Sequence, residues 1–183
     1  MTDRLLCSLT AERNFEEHTY TSNMEKDIPP CNIKIDKNGT WYYRGDEIFR
    51  KEIVHYFYQN LKRDESGRYL IETEHDCCYL EVEDVPFVVK AVYRFLSESD
   101  VEDCMYLLLS DQSLEKLDPK TLWIGKDNIP YCLVKNKTFC ARFSRSGYYQ
   151  LADFVEYDNE KDAFVLSLNG ISFYINDVKP QEE

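Results

Sequence analysis

Ile33-Lys34-Ile35-Asp36-Lys37-Asn38-Gly39-Thr40-Trp41-Tyr42-Tyr43 sets two short alternating runs on either side of an Asn-Gly pair. Alternation at a period of two places side chains on opposite faces of a strand, and Asn-Gly tolerates positive φ, so the stretch predicts a β-hairpin. Arg44-Gly45 then breaks the run, and Asp46-Glu47 offers a helix start, with Asp46 as cap and Glu47 at the positive end of the dipole. Phe49, Ile53, Phe57 and Leu61 recur every four residues. That spacing predicts one helix of about three turns, with Lys62 and Arg63 at its C-terminal end.

Strands follow on both sides of this unit. Residues 68–73 and 77–83 read as two, the second with Cys78, Leu80 and Val82 on one face and Tyr79, Glu81 and Glu83 on the other. Phe87, Val89, Ala91, Tyr93 and Phe95 alternate with Val88, Lys90, Val92 and Arg94, predicting a long strand with one apolar face. Ser97-Glu98-Ser99-Asp100 reads as an internal joint. Beyond it come strands at 104–110, 122–124, 131–135 and 138–143. A short helix is expected around Tyr148, Leu151, Ala152 and Val155, with a strand as the alternative for part of that stretch. Asn169-Gly170 marks a second hairpin between 163–168 and 171–175. Many short strands with few helices predict a β-rich α+β protein.

The chain has 183 residues and a net charge of −12. Its 43% hydrophobic and 14% aromatic content can build a core, which excludes wholesale disorder. Such acidity argues against nucleic acid as a partner, because backbone phosphates call for a positive footprint. No apolar run reaches the ~20 residues of a membrane helix. No secretory segment is read at the start, so a cytoplasmic location is expected.

Seven cysteines at irregular spacing (Cys7, Cys31, Cys77, Cys78, Cys104, Cys132, Cys140) read as thiols in a reducing compartment. Glu74-His75-Asp76-Cys77-Cys78 lacks paired ligand spacing, while His18 and His55 have no partner at such spacing, so neither metal nor cofactor is expected. Asn38-Gly39-Thr40 and Asn136-Lys137-Thr138 fit a glycosylation pattern, and without a secretory route they read as turns.

Three constellations carry chemistry. Arg44, Gly45, Arg50 and Lys51 sit where a hairpin meets a helix start, a place suited to a phosphate or carboxylate. They do not form a P-loop, and pairing with local acids is the plain alternative. Glu81, Glu83 and Asp84 supply carboxylates for acid–base work, or merely a solvated strand face. Tyr42, Tyr43, Tyr56, Tyr58, Tyr148, Tyr149 and Tyr157 either line a pocket or fill a half-buried sheet. No nucleophile motif is present, so an enzyme is not expected.

The run 33–45 with Ile48 and Arg50, followed by Glu83-Asp84-Val85-Pro86-Phe87-Val88, resembles the bacterial domain-of-unknown-function family 1285. Pro130-Tyr131, Val134, Ala141-Arg142-Phe143 and Tyr148-Tyr149 with Leu151 are similar to that family's second half. The resemblance implies two tandem related α+β motifs, the second pleckstrin-homology-like. The boundaries are a tail at 1–27, motifs at 28–96 and 97–178, and a tail at 179–183. It further implies a ligand site between the motifs for a nucleotide-like molecule, and a role in signal transduction. The matching site positions are Trp41, Tyr43, Arg44, Gly45, Arg50, Glu83, Asp84, Pro86 and Phe87, with Arg142 and Tyr149 on the other wall. Glu47 stands where the family usually has proline, and residues 111–121 lack its usual Thr-Asn turn. The leading expectation is thus a ligand-binding or regulatory module. A protein-interaction module is the alternative, and a hydrolase using Glu83 and Asp84 a third.

Overall fold

The computed structural model describes residues 28–95 and 103–179. The N-terminal tail and the joint at Ser97–Asp100 lie outside the described residues. Fifteen strands and two α-helices are described. The first sheet holds β1 (Pro30–Ile35), β2 (Trp41–Tyr43), β3 (Asp46–Glu47), β4 (Leu61–Arg63), β5 (Tyr69–Glu72) and β6 (Cys77–Val82) in the order β3-β2-β1-β6-β5-β4. The second holds β7 (Phe87–Phe95), β8 (Cys104–Leu109), β9 (Leu114–Lys116), β10 (Trp123–Ile124), β11 (Pro130–Val134) and β12 (Phe139–Phe143) in the order β10-β11-β12-β7-β8-β9. Read from the other edge, the two orders are the same. In each, two antiparallel meanders meet at a central parallel pair, β1 with β6 and β7 with β12. Helix α1 (Lys51–Gln59) joins the meanders of the first sheet, and the short 3₁₀ turn Pro119–Thr121 lies at the equivalent place in the second.

Helix α2 (Arg145–Ala152) follows β12, and β13 (Val155–Asp158), β14 (Ala163–Leu168) and β15 (Ile171–Ile175) form a third, antiparallel sheet. Asn169 and Gly170 both take positive φ in the β14–β15 turn, the geometry Asn-Gly favours. One hydrophobic core runs through all three sheets, from Ile35 and Trp41 through Phe87, Val89 and Leu109 to Leu166. Phe87 lies between the rings of Tyr58 and Phe139, at 5.0 and 5.4 Å.

Several sequence expectations change. The helix does not begin at Asp46: Asp46 pairs with Tyr43 in β3, Arg44 and Gly45 form the two-residue turn between them, and the helix starts after Arg50. A type I′ turn needs two positive φ values, which Arg44 (52°) and Gly45 (94°) supply, so the chain doubles back before it can coil. Phe49 is left exposed, and Leu61 is buried in β4 rather than on the helix. In the Asp36–Thr40 turn of the first hairpin Gly39 alone takes positive φ, while Asp36 Oδ1 accepts from the Asn38 and Thr40 amides.

Along β7 the predicted alternation holds only to Val89. The register then passes from Val89 opposite Leu109 to Ala91 opposite Leu108, so Lys90 is an inserted residue that exchanges the faces. Val92 turns inward, and Tyr93 (44%) and Phe95 (58%) turn out. The reading of all cysteines as thiols is corrected at Cys31 and Cys78, which form a disulfide between β1 and β6. Among the described residues no helix is long and apolar enough to cross a membrane.

Candidate functional site

The predicted site residues do not converge. Trp41 is fully buried against Phe57 and Tyr58, and among the described residues its Nε1 has no hydrogen-bond partner. Burial is the main cause that pushes Tyr58 up to about 12, and its hydroxyl donates to Pro86 O and, its one hydrogen so used, accepts from Ser110 Oγ. Phe87 is equally buried. Both aromatics therefore belong to the core, correcting their assignment to a ligand wall. Tyr43 is half-buried with the Arg44 guanidinium 5.2 Å above its ring.

Arg44, Gly45 and Glu83 line an open groove of about 590 Å³ on the outer face of the first sheet. Lys34, Tyr42, Tyr79 and Glu81 line it too, so its charge is mixed. Cross-strand register explains the grouping, since Lys34 stands opposite Tyr42 on one side and Glu81 on the other. Arg50, at the N-cap of α1, is not among the residues that line it. The expected Arg44–Arg50 anion site is thus not assembled around this groove.

Arg142 and Tyr149 do share a groove. It has a volume of about 360 Å³ and lies where β12 runs into α2. Ser144 turns the chain there: its amide donates to Val89 O, and its hydroxyl caps the helix by accepting from the Gly147 amide. That turn sets Arg145, Tyr148 and Tyr149 beside Arg142. The opposite rim is the 126–129 turn, with Asp127 and Asn128 both at positive φ. Tyr148 and Tyr149 are exposed and meet edge to face at 5.4 Å, and the Arg145 guanidinium lies 5.9 Å from the Tyr149 ring centre.

Asp84 stands behind Arg142. Its Oδ2 accepts from Arg142 Nη1 at 3.1 Å and from the Tyr131 hydroxyl at 2.9 Å. Burial first, and the bond to Asp84 next, push Tyr131 up to about 12. Glu83 and Asp84, adjacent in sequence, thus serve different places, and the structure does not pair them for acid–base chemistry. Sequence reasoning missed Arg145, whose signal was its place directly after a capping serine and three residues beyond Arg142. No group of three or more His, Cys, Asp or Glu side chains is placed to hold a metal among the described residues.

The fold is a β-rich α+β architecture with one six-stranded topology used twice, and its second half carries an arginine- and tyrosine-lined groove. Comparison with curated proteins gives no match. Residues 21–85 match the N-terminal domain of a domain of unknown function, DUF1285. The chain is also similar in structure to a DUF1285 family protein from Silicibacter pomeroyi DSS-3. That likeness has 23% identity, covers 83% of this chain and 82% of the other, and has a TM-score of 0.66. A DUF1285 family protein from Shewanella baltica OS155 shares 20% identity over 66% of this chain and 90% of its own, with a TM-score of 0.55. These likenesses show the fold.

Proposed function

We propose that the chain is a ligand-binding, regulatory module that takes a small anionic, ring-bearing molecule of nucleotide-like kind in the α2 groove. One observation carries this reading. In a chain of net charge −12, Arg142 and Arg145 stand beside exposed Tyr148 and Tyr149 in one groove. Guanidinium groups suit phosphate by bidentate hydrogen bonding, and exposed tyrosine rings suit a planar base by stacking. Asp127 on the rim favours a ligand that also carries donors. In this reading the second half is a pleckstrin-homology-like scaffold acting in signal transduction in the cytoplasm.

The test is thermal stability against AMP and GMP. Any ligand of the folded state raises the midpoint, by ~2.7 kcal/mol at a hundredfold excess over Kd. A saturable rise that Arg145→Ala and Tyr149→Ala each diminish supports the reading, and a flat response to both nucleotides overturns it.

A second reading, a protein-interaction module, is favoured by Tyr93 and Phe95, which the bulge at Lys90 turns outward beside Tyr106. It expects a co-purifying partner that a Tyr93→Ser, Phe95→Ser variant loses.

A further inference from the structure

We propose that Asp84 is the positioning residue of the α2 groove, holding Arg142 from behind so that the rest of its guanidinium faces a bound anion; the inference rests on the ligand reading above. Three observations converge. Arg142 lines the groove and Asp84 does not. Asp84 holds Arg142 through Nη1 alone, and among the described residues Nε and Nη2 have no other partner. An arginine carries five donors in a rigid fork, so fixing one nitrogen orients the others without using them.

Asp84 is itself fixed. Its Oδ2 also accepts from Tyr131, and the Tyr131 ring stacks on Trp123 at 5.5 Å and 18° within a small buried cluster with Val85 and Leu133. The support therefore runs from Trp123 through Tyr131 and Asp84 to Arg142. Its carboxylate comes from the β6–β7 connection, so a residue just past the first sheet supports the groove of the second half. Monodentate contact also explains why a carboxylate so near an anion site need not block it: Asp84 engages one nitrogen and stands outside the lining.

The experiment reads the arginine directly. NMR relaxation of the Arg142 side-chain Nε–H is compared in the wild-type chain, Asp84→Ala, Asp84→Glu and Tyr131→Phe, together with AMP titrations of each. Asp84→Ala is expected to make the Arg142 side chain mobile and to weaken AMP binding roughly tenfold, the scale of one hydrogen bond to a charged group. Asp84→Glu is expected to restore much of both, and Tyr131→Phe to fall between. Arg145→Ala is expected to weaken AMP without loosening Arg142, a split that a merely structural role for Asp84 would not give. An Arg142 as rigid in Asp84→Ala as in the wild type overturns the positioning role. A mobile Arg142 in Asp84→Ala, with no AMP binding to the wild type, supports the positioning role and overturns the ligand reading.

Discussion

Gly125 has an ordinary negative φ, and what it lacks in bulk decides its neighbourhood. A Cβ there would lie 2.5 Å from the Tyr131 ring, closer than real contacts allow. Gly125→Ala is therefore expected to displace Tyr131 and to cost about 1–3 kcal/mol in urea denaturation, the scale of overpacking. The titration of single groups is testable at the same scale. Tyr58 and Tyr131 are raised to about 12 in the folded chain, against about 10 when unfolded. Between those values the unfolded chain releases protons that the folded one keeps. Their contribution to stability is thus fully present below about pH 10 and is lost as pH rises toward 12. Denaturation midpoints across this window should fall, and the Tyr58→Phe, Tyr131→Phe variant should fall less. Residue type alone was a poor guide to the site: Trp41 and Phe87 carry the chemistry of a ligand wall, yet both sit in the core. Arg142 was named only through the family resemblance, and residue patterning by itself did not single it out.

At the scale of elements, the two Asn-Gly hairpins and most of the longer strands were legible. The start of α1 and the faces of β7 were not. The first turns on a two-residue turn at Arg44-Gly45 that lets β2 claim Asp46 and Glu47 before the helix can, and the second on a partner distant in sequence, β8, opposite the bulge at Lys90. Lys90 itself reaches Asn38 O at 2.7 Å, tying the bulge to the first hairpin. Helix α2 is seated by close approach. Gln150 Oε1 accepts from the Val92 amide, beyond the last residue that β12 pairs, and Gly147 lies against Val89 O. A Cβ at Gly147 would stand 2.9 Å from that backbone oxygen. Gly147→Ala gains about 1 kcal/mol of helix propensity, and the clash is expected to outweigh it, leaving a net loss of about 1–2 kcal/mol. Shifted amide resonances at 89–92 in the variant would check it, and a stabilised protein would contradict the seating.

For the whole molecule, the resemblance implied two related motifs, and the two sheets share one strand order. The division into sheets falls between Val82 and Phe87, so β7 pairs with strands that follow it. Periodicity could not convey this, because a strand reads the same whichever neighbour it takes. The Cys31–Cys78 bond was also illegible, since an odd count of cysteines fixes no pairing. It spans a sequence separation of 47, enclosing the first hairpin, α1, β4 and β5. Closing a loop of that size is worth up to about 4 kcal/mol through the unfolded state. Dithiothreitol, or Cys31→Ser with Cys78→Ser, should lower the denaturation midpoint accordingly. A midpoint indifferent to reductant would mean that the two sulfurs do not bond in solution.

The central parallel pairs also bear on the order in which a nascent chain can assemble. β1 cannot meet β6 until Val82 has been synthesised, nor β7 meet β12 before Phe143. Each sheet waits on a closure some fifty residues long, and contacts so distant in sequence make folding slow. Meanwhile β1 and then β7 leave the ribosome with a bare edge, open to any other strand that comes within reach.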